Sequence, residues 1–485
     1  MSAGNLVPHC ISVRGTCDGR PTAAGGNGPM RGLRRTLAMA AAAAAVATTI
    51  TLAPAPSADA AITRISGSDR YATSVAASRA TGWTGGPVFL ASGASFADAL
   101  AAGPVAAAER GNLLLTMPTG LPQAVADRIA QLAPSEIVIV GGTGSISSTV
   151  EQQAQSLAPL VTRISGSDRV ETSMLLLDRM RTKGVVPSDV WVVSGTNFAD
   201  ALAAGAVAAR YGHGLVLATA GDDRFRQLIG ARLEGVTAFR IAGGNAAVDS
   251  WVQRILYDTG RGIDRIAGAN RYQTAVAINA QFTQTTTNAR IMLASGESFP
   301  DGLSAATVAA SQGMPLYLTT RHCMPVPGVR QEMQRLGARD VVVVGGTAVV
   351  TNASANLDAC PDVGAIQQEL IWLVNQQRAA AGVPSLGAHG GLMSMAQSWS
   401  GQMAAQQSMV HSQTFCDETF AMGFRRCAEN IARTGSPSAQ GVMDAWMNSA
   451  GHRANILSPN LTHIGVGLVQ GSDGRWYWTQ NFGGY

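Results

Sequence analysis

Three stretches of this chain are near-copies of one another, about a hundred residues apart. R-I-S-G-S-D-R begins at Arg64 and again at Arg163, and R-I-A-G-A-N-R begins at Arg265. F-A-D-A-L-A-A-G runs from Phe96, the same string runs from Phe198, and F-P-D-G-L-S-A-A runs from Phe299. Each copy closes on an apolar run and a Gly pair: Ile137 to Gly142, Phe239 to Gly244, Val341 to Gly346. Such a period is too long for a solenoid repeat, so each copy must be a small module with its own core. Three copies suit a binding array better than one active site, because repeating a weak contact raises avidity without new chemistry.

Within a module, short apolar strands alternate with helices. Ser68 or Asp69 can cap a helix from Arg70 to about Ala80. Val88 to Ala91 reads as a buried strand, followed by a small-residue helix from Ala97 to about Glu109. Leu113 to Thr116 is the next strand, then a helix near Ala124 to Leu132, then the strand Ile137 to Val140. This order implies an α/β class with a parallel sheet covered on both faces. Asp98, Asp200 and Asp301 fall at helix starts, where a carboxylate complements the helix dipole and can cap. Pro300 suits a first helical turn. The Gly pairs read as tight strand-to-helix turns. No G-x-G-x-x-G or G-K-[ST] spacing follows them, which argues against a nucleotide enzyme.

The start of the chain reads as a secretory signal region over 1–60. Arg31, Arg34 and Arg35 precede an apolar stretch from Leu37 to Leu52, and Ala58-Asp59-Ala60 fits cleavage after Ala60. Met30 is the expected start, so Cys10 and Cys17 are not expected in the mature protein. No later stretch is long and apolar enough to span a bilayer, so no transmembrane span is expected after cleavage. The whole chain carries +4, from 35 basic and 31 acidic residues. Without residues 1–60 the balance is 30 to 29. No bulk field then attracts nucleic acid, and an anionic partner must be held by local sites. Four cysteines remain in an exported chain, which favours disulfides. Cys416 and Cys427 would close a short loop, and Cys323 and Cys360 would tie the third repeat to its own exit.

Two arginines recur in every repeat: Arg64 with Arg70, Arg163 with Arg169, Arg265 with Arg271. A guanidinium fork suits phosphate or carboxylate. The competing use is an ion pair to Asp69, Asp168 or another helix-start carboxylate. The tandem R-I-x-G-x-[DN]-R, the S-G-x-x-F-x-D-[AG]-L strings and the closing V-G-G resemble the cell-wall-binding repeats of Gram-positive surface proteins. That resemblance implies three modules in a pseudo-threefold array that hold an anionic cell-wall polymer noncovalently, with the six arginines as candidate polymer ligands. The family often carries I-L-L in its third strand. Leu113-Leu114-Leu115 matches, while Leu215-Val216-Leu217 and Leu316-Tyr317-Leu318 depart from it.

After Cys360 the composition changes. Glu369 to Ala381 is helical by pattern, as is Leu392 to Gln407, and Val442 to Met447 forms a third helix. Ile464 to Val469 and Trp476 to Asn481 read as an antiparallel hairpin turning near Ser472 to Gly474. H-S at His411, E-N-I-A at Glu429, W-M-N-S-A-G-H-R-A-N-I-L from Trp446, I-G-V-G from Ile464 and Y-W-T-Q-N-F-G from Tyr477 occur in one order. Together they resemble the bacterial branch of the CAP superfamily of cysteine-rich secretory proteins. The resemblance implies an α-β-α sandwich with a surface cleft lined by His411, Glu429 and His452. Ser449 stands where many members have a second Glu.

Those residues admit three uses. Glu429 can brace His411 and the cleft backbone. His411, Glu429 and His452 can hold a divalent metal such as zinc with an open position. A neutral His can act as general base, so the three are also the catalytic candidates. No G-x-S-x-G or free Cys nucleophile supports covalent catalysis.

The expected organisation is a signal region over 1–60, repeats over 61–160, 161–261 and 262–362, and a CAP domain over 363–485. The expected function is a secreted surface protein. Its repeats grip the wall, and its head binds a lipid or peptide in a cleft without a required cofactor. A wall-localised hydrolase is the alternative.

Overall fold

The computed structural model describes residues 61–281, 289–326 and 328–485. The signal-region expectations, including Met30, Cys10, Cys17 and cleavage after Ala60, lie outside the described residues. Among the described residues no helix is long and apolar enough to cross a membrane.

Three four-stranded parallel sheets form the repeat region. In the first, the order is Asn112–Thr116, Val88–Ser92, Glu136–Val140, Leu160–Ile164. In the second it is Gly214–Ala218, Asp189–Ser194, Ala238–Ala242, Gly262–Ile266. The third runs Leu316–Thr319, Arg290–Ser295, Asp340–Val344 and then Ile62–Ile65. The inner strands are buried on both faces, which is why they read as unbroken apolar runs. The R-I strand that opens each repeat is therefore an edge strand of the sheet built by another repeat. Ile62–Ile65, from the first repeat, completes the sheet of the third and closes the array into a ring.

The centre of the ring is made of three helices, Ala97–Ala108, Ala199–Tyr211 and Pro300–Gln312, each packed on the other two. Small residues, chiefly Ala with Gly and Ser, dominate them, so their axes approach closely. A Cβ at Gly103 would stand 3.1 Å from that of Ala306. Their N-terminal ends meet at Phe96, Phe198 and Phe299. Ala107, Ala209 and Ala310 line one cavity at the other ends, so the helices run parallel. Pro300 occupies the first turn, as expected.

Asp98, Asp200 and Asp301 do not cap these helices. The N-cap positions are Phe96, Phe198 and Phe299, none with a side-chain cap. The three carboxylates turn instead beneath the Gly pairs. Asp69, by contrast, caps the helix Arg70–Ala80 by accepting from Tyr71 and Ala72 N–H.

The C-terminal domain has three layers. Its sheet runs Gly387–Ala388, His463–Gln470, Trp476–Gly484, Arg426–Thr434, antiparallel except at the short first strand. One face carries the helix Gly390–Gln406. Gly465 and Gly467 permit this contact, since a Cβ at either would collide with the helix backbone at Leu392 or Ala396. The other face packs Val466, Trp478 and Phe482 against Leu370 and Val374 of Val363–Ala380 and Val442 and Trp446 of Ala439–Asn448. The first of these helices begins earlier than its apolar pattern suggests, because Asp362 caps it by accepting from Ala365 N–H. Both expected disulfides form, Cys323–Cys360 and Cys416–Cys427.

Candidate functional site

Each seam between modules repeats one constellation. Gly141, Gly243 and Gly345 adopt φ of 108°, 101° and 120°, a region open to glycine, and a Cβ there would press on Asp98, Asp200 or Asp301. The arginine of each R-I strand seals the same turn. Arg163 Nη1 donates to the Gly141 carbonyl at 2.8 Å, Arg265 Nη1 to Gly243 at 2.8 Å, and Arg64 Nη1 to Gly345 at 3.3 Å. Each uses at least one further N–H group as well. Arg163 pairs with Glu151 at 2.7 Å, Arg265 donates to Gln253, and Arg64 donates to Asn352. The inner arginines are thus spent largely on closing the seams, and Glu151 is the helix-start acid that one of them finds. Asp168 pairs with Arg224 instead.

The outer arginines stand differently. Arg70, Arg169 and Arg271 each donate through Nη1 to a turn carbonyl, of Gly93 at 2.7 Å, Gly195 at 2.6 Å and Gly296 at 2.5 Å. Arg70 and Arg169 are exposed and Arg271 is half-buried. Burial pushes the Asp98, Asp200 and Asp301 carboxyls up, and the charges of Arg169, Arg271 and Arg70 respectively oppose that push. Each outer arginine therefore acts on the buried acid of a neighbouring repeat.

In the C-terminal domain, the edge strand Arg426–Thr434 carries Glu429. Its Oε1 lies 2.8 Å from His411 Nδ1 and accepts from Ser412 N–H at 3.0 Å. The Glu429 side chain is 1% exposed and that of His411 52%, so the dyad runs from the interior to the surface. Burial raises the Glu429 carboxyl and the His411 contact opposes it. With Nδ1 held by the carboxylate, His411 presents Nε2 as its remaining ring nitrogen.

His452 sits on the short helix Ala450–Ile456, edge-on to Trp446 at 6.5 Å. Burial, then the neighbouring His411, pushes its imidazole below the usual value. Ser449 joins the helices Ala439–Asn448 and Ala450–Ile456, and its backbone caps both: its N–H donates to the Trp446 carbonyl and its carbonyl accepts from Arg453 N–H.

Four further residues support this site. Asn430 donates to the His452 carbonyl and to Gln480 Oε1, and Asn455 donates to the Glu429 carbonyl and to Asn430 Oδ1. This network fixes the His452 helix to the strand bearing Glu429. Asn481 stands opposite Glu429 in the sheet, fully buried. All four lie inside the motifs E-N-I, A-N-I and T-Q-N, but only Asn430 directly follows a residue singled out for its chemistry.

Among the described residues, no group of three or more His, Cys, Asp or Glu side chains could hold a metal ion. Glu429 Oε1 faces His411 and Ser412, while its Oε2 is buried without a partner. The expected three-ligand metal set of His411, Glu429 and His452 is thus not assembled: Glu429 Oε1 stands behind His411 as an orienting carboxylate.

Comparison with known proteins agrees with this architecture. A family model described as cell wall binding domain 2 matches residues 64–151, 163–253 and 265–355. The cysteine-rich secretory protein family matches residues 372–482. N-acetylmuramoyl-L-alanine amidase LytC of Bacillus subtilis (strain 168) is 28% identical over 307 residues, covering 63% of this chain and 60% of the relative. The uncharacterized protein YkwD of the same organism is 35% identical over 142 residues, covering 28% and 53%. The structure of Cwp8 from Clostridium difficile superposes with a TM-score of 0.53 at 25% identity, covering 61% of this chain and 51% of that one. The chain thus spans between half and three-fifths of the length of these relatives.

Proposed function

Because this chain belongs to the cell wall binding domain 2 family and ends in a cysteine-rich secretory protein domain, we propose that it is an exported bacterial surface protein held to the wall by its repeats. The partner is an anionic wall polymer, and the C-terminal domain is a displayed head that binds a peptide or lipid in its cleft. The observation that carries the attachment reading is the threefold recurrence of an outer arginine, Arg70, Arg169 or Arg271, oriented by one hydrogen bond to a turn carbonyl. A guanidinium held in this way retains N–H groups for phosphate or carboxylate. Three such groups in one closed ring can act together on one polymer. The test is sedimentation of the full chain with purified walls. Binding is expected to intact walls and to disappear when anionic polymers are stripped. Equal binding to stripped walls would refute the polymer.

A second reading, a wall-localised hydrolase, is favoured by one observation: Glu429 holds His411 Nδ1 and leaves Nε2 toward the surface. In that role His411 would take a proton from water and Glu429 would stabilise the imidazolium. His411→Ala together with His452→Ala should abolish turnover of wall fragments. Turnover unchanged by the double substitution would end this reading and leave the binding head.

A further inference from the structure

At one end of the pseudo-threefold axis the rings of Phe96, Phe198 and Phe299 form a nearly equilateral triangle. Their centroids are 6.0, 5.6 and 5.8 Å apart, and the planes are tilted by 58° to 65°. None of the three rings is fully buried. Two of the outer arginines stand over rings of the triangle. The Arg169 guanidinium lies 6.0 Å from the Phe96 centroid, and that of Arg271 lies 5.7 Å from Phe198. Arg70 holds the corresponding place in the first repeat, tied to Gly93 as the others are to Gly195 and Gly296. The acids Asp98, Asp200 and Asp301 lie against Gly141, Gly243 and Gly345, and each also feels the charge of one outer arginine. An apolar aromatic floor ringed by three oriented cations thus crowns the axis.

We propose that this triangle and its three arginines form one axial subsite for an anionic sugar unit of the wall polymer. The apolar face of the sugar ring lies on Phe96, Phe198 and Phe299, and its phosphate or carboxylate lies on one of Arg70, Arg169 and Arg271. The inference rests on the wall-attachment reading and sharpens it. A sugar on the axis spans all three repeats, so the subsite is filled once per chain, although the sequence is triplicated. Aromatic rings supply a broad apolar face that an aliphatic side chain of similar volume lacks. The guanidinium adds a planar charged fork beside it.

The test uses the full chain with Phe198→Leu and Phe198→Tyr. The Leu variant is expected to sediment with walls about three- to tenfold more weakly, with little change in thermal midpoint, and the Tyr variant to recover binding. N-acetylglucosamine 1-phosphate should compete with walls at lower concentration than either N-acetylglucosamine or inorganic phosphate, and saturate at one per chain. Three equal sites per chain would overturn the axial subsite. So would a Leu variant that sediments like the parent, which makes the triangle packing only and leaves attachment through the outer arginines intact. Equal losses in the Leu and Tyr variants with lowered thermal midpoints would also assign the triangle to packing. Failure of the parent chain itself to sediment would instead refute the attachment reading.

Discussion

Ile62 lies in parallel register with Val341, so the first strand of the repeat region completes the sheet of its last repeat. The ring is closed by hydrogen bonds from Val341 N–H to the Ala61 carbonyl and from Gly345 N–H to the Ile65 carbonyl. Arg64 adds its contacts to Gly345 and Asn352.

Removal of residues 61–66 should therefore damage the molecule far from the cut in sequence. Amide exchange is expected to accelerate at Val341–Val344 while Val88–Ser92 stays protected. Uniform loss of protection, or none at Val341–Val344, would contradict the closed ring.

Arg179 bridges Glu109 at 2.6 Å and Glu136 at 2.9 Å across the seam between the first two repeats. All three side chains are nearly buried, so Arg179→Met leaves Glu109 without this cation and Glu136 with only Lys183 at 3.6 Å, and should cost about 3–5 kcal/mol by chemical denaturation. A loss within error of zero would show that water reaches the pair freely.

The same contact sets an acid limit. Hydrogen bonds from Arg179 hold the Glu136 carboxyl down from 4.5 to about 2. A depressed carboxyl stabilises the fold above its unfolded value and loses that contribution as pH falls through its folded one. Stability should thus decline between pH 4.5 and about 2 in the parent. Glu136→Gln should flatten that part of the pH profile.

Glu429 has the opposite sign. Its carboxyl is raised by burial, so its favourable contribution is present below the ordinary value and is lost as pH rises through the folded one. Glu429→Gln should leave the thermal midpoint at pH 7 unchanged or higher. A lower midpoint at pH 7 would mean that the carboxylate stabilises the cleft after all.

The bond between Cys416 and Cys427 ties the helix Phe415–Ala421 to the strand that carries Glu429 two residues later. Cys416→Ser with Cys427→Ser should cost about 2–4 kcal/mol and increase proteolysis between the two positions. Identical cleavage in both proteins would show that packing alone holds this corner.

Local chemistry accounts for what could be read directly. Asp69 before Arg70 caps a helix whose limits match the pattern, because a cap needs only the next three residues. The buried strands were legible as unbroken apolar runs. The strand Arg426–Thr434 was not, because Glu429 and Asn430 place consecutive polar side chains on opposite faces and erase the apolar alternation. Asp98 looked like a cap and is a buried seam acid. Its partners, Gly141 and Arg169, come from a later turn and another repeat.

The order of residues alone determined that this protein is a triplicated α/β array followed by a separate domain, and only the resemblance of its motifs to a family implied a sandwich in which His411, Glu429 and His452 share a cleft. Hydrophobic period, caps and motif order act over a few residues, so they survive in a linear reading. Only the tertiary structure decided that the first strand belongs to the last repeat, that the inner arginines seal the seams, and that three phenylalanines meet on one axis. Those choices depend on which buried surfaces and unpaired backbone groups find each other in the closed ring, and no single stretch of chain contains that information.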